Sequence, residues 1–367
     1  MTDLIEQFGV GPVLAVGGLL IGLLFGFFAQ RSRFCLRAAV IEFWHLRFGE
    51  KLSIWLLAFS AAVIGVQLLI LAGGLDTSGA RQIAARGSLS GALVGGLLFG
   101  AGMILTRGCA SRLLVLSANG NLRALLSGLI FAVTAQAALG GGLAQLRAEI
   151  SGWVTIEGGV SRDLLATLGL GNWAGLAFGF LWAVAAVYFV RRSRPQSLWL
   201  WVGGIGTGVM VAVAWGFSQA VARASFDPVQ IQGLTFSGPS AEWLMRVLSS
   251  PAPAVGFEFG LLPGVFAGSF IGAWIGRDLK LEGFKDGYSM RRYIVGAVFM
   301  GFGSMLAGGC AVGAGVTGGA IFALTAWLSL VGMWLGAGLV DRLIDGRENA
   351  LSLQPPSVAS AQPLRAP

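Results

Sequence analysis

Three cysteines, Cys35, Cys109 and Cys310, are the residues of this 367-residue chain best suited to chemistry. Their surroundings read RSRFCLR, TRGCASR and AGGCAVG, and each falls where an apolar run is interrupted. A neutral thiol is a weak hydrogen-bond donor with a large, polarizable sulfur. It therefore suits a sulfur-containing ligand better than a hydroxyl would. The bland alternative is a small buried hydrophobe, the ordinary state of a free cysteine. Three cysteines at interruptions, two of them in a repeat, favour binding instead. Covalent thiol chemistry is the competing use, but the chain has no CxxC pair, and His45 is its single histidine. Such a set supports neither a zinc site nor a disulfide framework, and no metal or cofactor is expected.

The neighbours of the thiols qualify what they could bind. Gly108 before Cys109, and Gly308 and Gly309 before Cys310, permit a backbone break or a close helix approach. Arg31, Arg33, Arg37, Arg107 and Arg112 flank the first two cysteines. Near membrane ends such arginines chiefly set orientation. Any that reached a pore would favour an anion, because guanidinium forks pair well with oxyanions. Cys310 has no charged neighbour within several residues, so helix-terminus dipoles would have to serve there. The candidate substrate-binding set is Cys35, Cys109, Cys310, Gly108, Gly309 and Arg107.

Stepping outward, the elements that carry two of the thiols are copies of one another. Val94 to Ala110, VGGLLFGAGMILTRGCA, superposes on Val295 to Ala311, VGAVFMGFGSMLAGGCA, at a constant offset of 201. The register aligns Gly95 with Gly296, Gly100 with Gly301, Gly102 with Gly303, Gly108 with Gly309 and Cys109 with Cys310. Gly17-Gly18 against Gly203-Gly204 is a weaker second match, and Cys35 has no cysteine counterpart in the later half.

Composition places these copies in lipid. The chain is 55% hydrophobic and 11% charged, against about 25% charged in soluble domains. Its 58 glycines suit the close helix packing of membrane proteins. The segment before the first apolar run carries Asp3 and Glu6 and no basic residue, unlike a secretory signal. Runs long enough to span a bilayer occupy 10–30, 52–74, 89–106, 122–142, 170–190, 198–219, 257–276, 293–308 and 319–340. Apart from Arg123, at the very start of the fourth, none contains Lys or Arg. The net charge of +8 thus sits in short connections, a pattern of membrane orientation and not of nucleic-acid binding. Of the 25 basic residues, 19 fall on one side of a nine-span topology and 6 on the other. Keeping positive charge inside predicts an external N-terminus and a cytoplasmic C-terminus.

The expected fold is an all-α integral membrane protein of about nine transmembrane helices plus short re-entrant helices, arranged as an inverted internal repeat. The copy ending at Cys109 crosses inward and the copy ending at Cys310 crosses outward, a plan common in secondary transporters. The apolar connections 34–45, 110–117 and 311–318 are the candidate re-entrant helices. Backbone of that kind is tolerated at membrane depth only when buried in protein or lining a cavity. The domain plan is an outside tail over 1–9, one membrane domain over 10–340 with halves at about 10–145 and 198–340, and a disordered cytoplasmic tail over 341–367. The polar connection 147–169 is expected outside. Tryptophans near span ends, such as Trp55, Trp199 and Trp201, read as an interfacial belt.

The chain resembles the YeeE/YedE family of sulfur-transport membrane proteins. The resemblance rests on SRFC at Ser32–Cys35, GxGxxLTRGC at Gly100–Cys109 and GFGSMLAGGC at Gly301–Cys310, and it covers roughly Val10 to Val340. It implies uptake of thiosulfate across the bacterial inner membrane. The ion would be relayed past Cys35, Cys109 and Cys310 by S–H hydrogen bonds, without covalent change, through a narrow path pinched by re-entrant helices. It also implies, for some relatives, a cytoplasmic sulfur-carrier partner of the TusA type. Two alternatives stay open: a permease for another soft sulfur or selenium species, and a membrane thiol oxidoreductase or sulfurtransferase.

Overall fold

The computed structural model describes residues 2–193, 197–248, 255–283 and 287–352. In chain order the helices are α1 (Thr2–Phe8), α2 (Val10–Ser32), α3 (Leu36–Trp44), α4 (Glu50–Leu71), α5 (Arg81–Ala84), α6 (Leu89–Leu105), α7 (Ala110–Ala118) and α8 (Leu122–Gly140). They continue with α9 (Ala144–Gly152), α10 (Leu164–Thr167), α11 (Asn172–Ser193), α12 (Leu198–Ala224), α13 (Ser237–Leu248), α14 (Phe257–Gly276) and α15 (Gly287–Leu306). A π-helix over Ala311–Gly318 precedes α16 (Leu324–Ser352). Two short strands, β1 (Gly87–Ser88) and β2 (Thr155–Ile156), pair antiparallel between connections.

Among the described residues, nine helical segments are long and apolar enough to cross a membrane. Three of them run through an interruption: Val10–Trp44, Leu89–Ala118 and Gly287–Gly318. Hydrocarbon offers backbone groups no water, so only elements that satisfy themselves can span it, and a closed α-helical fold meets that demand. Side chains supply the missing partners at helix starts. Ser88 accepts the Gly91 amide at the head of α6, and Asn121 accepts that of Ala124 at the head of α8. Large apolar side chains such as Leu129, Val133, Leu181 and Val184 stay exposed on the outer faces, where lipid replaces water.

Glycine brings the spans into contact. On α2, Gly18, Gly22 and Gly26 lie against the carbonyls of Phe257, Leu261 and Val265 of α14. In return Gly260, Gly264 and Gly268 lie against those of Ala15, Leu19 and Leu23. One methyl group at any of these sites would meet backbone, so the four-residue spacing sets how close the two axes come. The pairings follow a pattern: α2 packs on α14 as α12 packs on α4, and α6 packs on α16 as α15 packs on α8. Two further contacts, α2 with α12 and α6 with α15, join the pairs. Helix α11 packs against α4.

Some expectations are corrected. Residues 341–352 continue α16 instead of opening a disordered tail, while 353–367 lie outside the described residues. Trp55 is no interfacial anchor. Because α4 is clasped between α11 and α12, its ring is buried and stacked on Phe59 at 5.1 Å. The connection between α12 and α13 enters the core, where Leu234 and Phe236 are buried and the Phe236 ring meets Phe25 at 5.3 Å.

Candidate functional site

Each cysteine occupies the same position in a recurring backbone device. A long helix ends, one residue turns left-handed, a second follows, and the cysteine then caps a short new helix. The left-handed residues are Arg33 (φ 54°), Arg107 (φ 58°) and Gly308 (φ 77°), each two places before its cysteine. The next amide reaches back five residues: Phe34 to Ala29 (3.1 Å), Gly108 to Met103 (3.1 Å) and Gly309 to Ser304 (2.9 Å). That six-to-one bond is the signature of a Schellman end. Cys35, Cys109 and Cys310 are then the extended N-caps of α3, α7 and the π-helix.

Turning left-handed is nearly free for glycine and costs about 1–2 kcal/mol for other residues. Only the third copy uses glycine for it. The turn falls on Arg107 and Gly308, one residue earlier than the Gly108–Gly309 pair. Gly309 serves close approach, since a Cβ there would stand 2.7 Å from the Ala314 amide nitrogen. Gly108 is under less constraint, with side chains and no backbone nearby, Leu113 at 3.3 Å and Arg112 at 3.7 Å. Thr106 braces the second copy, its hydroxyl 2.9 Å from the Gly102 carbonyl and 2.8 Å from that of Gly108.

The sulfurs are internal. Cys109 and Cys310 are each 1% exposed and Cys35 is half-buried, all as free thiols. The Cys35 and Cys109 thiols are near enough to influence each other electrostatically, and the Cys109 sulfur lies 3.4 Å from the Ser111 hydroxyl. The Cys310 sulfur accepts the Gly313 amide at 3.5 Å. Helix α7 touches the π-helix, so the caps bearing Cys109 and Cys310 belong to neighbouring elements. Helix N-termini carry partial positive charge and leave amides free, which suits an anion beside each thiol.

The arginines separate by position. Arg107 points to the surface as the left-handed residue of its turn. Arg112, one turn into α7, is half-buried, with its guanidinium close enough to both Cys35 and Cys109 to act on them electrostatically. Its Nη1 lies 3.4 Å from Gln30 Oε1, and Gln30 Nε2 lies 3.5 Å from Asp278 Oδ2. Arg33 approaches the same carboxylate at 3.8 Å. Arg31 sits over the Trp199 ring at 5.2 Å. Spacing could not select Arg112 over Arg107, because both stand within three residues of Cys109.

Sequence reasoning also missed the surroundings of Cys310. The segment from Gln232 to Ser237 lies along the π-helix. The Thr317 hydroxyl donates to the Leu234 carbonyl at 2.6 Å, and the Thr235 hydroxyl fills the space beside Gly313. Ser218 fixes Gln232, donating to its carbonyl at 2.8 Å and accepting its amide at 3.1 Å. Above this segment opens a cleft of about 410 Å³, lined by Leu14, Asp227, Gln232, Glu242, Arg246 and Glu258 among others. The one signal in the sequence was an unusually long polar connection after the sixth span.

The family model described as sulphur transport matches residues 31–339, a stretch that includes all three cysteines. A thiosulfate transporter TsuA from Escherichia coli (strain K12) is 26% identical over 355 residues, covering 90% of this chain and 95% of its own. A second thiosulfate transporter TsuA, from Spirochaeta thermophila, is 25% identical over 355 residues, with 89% and 98% covered. With nine membrane-long apolar helices among the described residues and a family match across most of its length, the chain belongs to the sulphur transport family and is a multi-pass membrane transporter.

Proposed function

We propose that the protein takes up thiosulfate across the bacterial inner membrane, with its N-terminus outside and its C-terminus in the cytoplasm. The observation that carries this reading is the repeated device: three buried or half-buried thiols, each capping a short helix behind a left-handed break. The ion enters at the cleft beside the α12–α13 connection, meets Cys310, and passes to Cys109 and then Cys35. Its terminal sulfur accepts an S–H hydrogen bond at each station while helix-terminus amides balance its charge. Arg112, not Arg107, receives the oxyanion at the inner pair. The names of the two relatives support this choice of substrate.

The fold behind the relay is an inverted repeat in which α2, α4, α6 and α8 correspond to α12, α14, α15 and α16. Exchanging the halves turns the α2–α14 pairing into α12–α4 and α6–α16 into α15–α8, which supports the correspondence. The short helices after the three breaks act as re-entrant elements pinching the path. Residues 1–9 and the segment beyond α16 are tails to the membrane domain. A TusA-type carrier protein at the cytoplasmic face would collect the product.

Selectivity follows from solvation. Thiosulfate and sulfate are both tetrahedral dianions, so charge attracts both without discriminating. Sulfate would exchange strong hydration for weak thiol donors, and buried charge without good partners is heavily penalised. The softer, less hydrated terminal sulfur of thiosulfate loses less. A bacterium lacking its own sulfate and thiosulfate uptake should therefore grow on thiosulfate when it carries this protein. Uptake of radiolabelled thiosulfate should resist a large excess of sulfate. Absence of uptake in cells whose membranes contain the protein overturns the proposal. Reporters fused at the N-terminus and after Val340 should read outside and inside; both on one side would end the inverted repeat.

One observation favours a second reading. Adjacent Cys35 and Cys109 thiols could form a redox or sulfur-transfer pair, and persulfide or mixed disulfide trapped on either during turnover would establish it. Unmodified cysteines throughout turnover are expected.

A further inference from the structure

We infer that Trp215 is the residue that holds the oxygen end of the anion while Cys310 holds its sulfur, an assignment resting on the transport reading above. Trp215 lies in α12 and is 0% exposed, yet its indole N–H has no hydrogen-bond partner among the described residues. A buried donor left without a partner is costly and uncommon, so such a group calls for an explanation.

Its position supplies one. A Cβ added to Gly233 would stand 2.7 Å from Trp215 Nε1 and 2.5 Å from Thr317 Cγ2. The N–H edge thus faces the one residue of the 232–236 stretch that has no side chain, at the junction with the π-helix. On one side of Gly233 is Gln232, in the lining of the 410 Å³ cleft. On the other, Thr235 abuts Gly313, whose amide reaches the Cys310 sulfur. Cleft, indole and thiol follow one another along a single line of contacts. On the route proposed above, an anion leaving the cleft for Cys310 passes Gly233, and there it meets a neutral donor. An indole N–H is a donor only, so it pairs with an oxyanion oxygen and cannot serve a cation. A neutral donor also holds the ion less firmly than an arginine would, allowing release toward Cys109.

The test uses the purified full-length protein, for uptake in vesicles and for thermal unfolding in detergent. Trp215→Phe keeps a ring and removes the donor. The thiosulfate concentration for half-maximal uptake should rise about tenfold or more, with maximal rate changed less. Without anion, the variant should unfold at the same temperature or higher, because an unmet buried donor has been removed. The stabilisation by added thiosulfate should be lost. Gly233→Ala, which leaves the indole in place but obstructs its N–H, should weaken thiosulfate in the same way. Any stabilisation by added sulfate in the unfolding assay should fall with Trp215→Phe, whereas Cys310→Ala should spare it, because one residue reads oxygen and the other sulfur. Half-saturation within twofold of wild type in both Trp215→Phe and Gly233→Ala overturns the inference. So does a drop in unfolding temperature with undiminished thiosulfate stabilisation. Wild-type vesicles that neither take up nor bind thiosulfate would instead sink the transport reading beneath it.

Discussion

The Cys109 and Cys310 ends of the molecule share one backbone device and differ in nearly everything around it. At Cys109 the new helix is α-helical and polar and charged neighbours gather: Cys35, Ser111 and Arg112 near the sulfur, with Gln30 and Asp278 behind. At Cys310 the new helix is a π-helix of sequence AVGAGVTG whose Gly313 amide meets the sulfur, and the neutral Thr235, Thr317 and Trp215 gather where the 232–236 stretch meets that helix. π-Helical turns are rare and concentrate at functional sites. The difference gives a repeat a direction. On the proposed route, an anion held only by neutral donors at one thiol, and by a guanidinium at the next, would be drawn from the first toward the second.

The largest effect should come from removing either sulfur. Cys109→Ala and Cys310→Ala should each abolish or severely reduce uptake while the protein still reaches the membrane, measured by radiolabelled uptake against membrane abundance. Losing one hydrogen bond to a charged group costs roughly 1.5–3 kcal/mol, or about tenfold to a hundredfold in occupancy. Near-normal uptake in either variant would return that cysteine to packing. The serine variants keep a donor of similar size, but a harder and shorter one, and should recover only part of the rate.

Next in size is the charge that separates the two ends. Arg112→Gln should weaken thiosulfate uptake about tenfold or more in half-saturation, with Arg107→Gln within twofold of wild type. A loss in Arg107→Gln with Arg112→Gln near wild type would mean that the surface arginine steers the ion and that the inner pair carries no guanidinium role. Selectivity comes after this. A hundredfold excess of sulfate should inhibit wild-type uptake weakly, while selenosulfate competes well. Equal competition by sulfate would pass the filter from the thiols to the arginines.

The smallest effects test the shared turn. Gly308→Ala places a side chain at φ 77° and should destabilise the detergent-solubilised protein by about 1–2 kcal/mol. Arg107→Gly, the reciprocal change at φ 58°, should raise stability by up to about 1 kcal/mol with uptake nearly unchanged. Opposite signs would establish that the two turns are one device; a loss in both would show that Arg107 contributes more than its backbone.

Much of this architecture is legible in the linear chain, for a physical reason. Lipid punishes every unsatisfied backbone group and every stray charge, so span number and helix type are written as composition. The glycine-rich repeat and the three cysteines at its interruptions are visible for the same reason: small residues and breaks must stand where helices touch or end. Spacing along the chain could not rank Arg112 above Arg107, since a left-handed turn turns one outward while one further turn of α7 points the other at the thiols. Nor could it reveal that Trp55 is clasped between α11 and α12, or that the connection after α12 folds back to set Gly233 and Thr235 against the π-helix. Those placements arise from residues far apart in the chain, brought together by helix packing. Apolar composition states only that a segment is buried or bathed in lipid. Which neighbour it meets was decided by the tertiary structure alone.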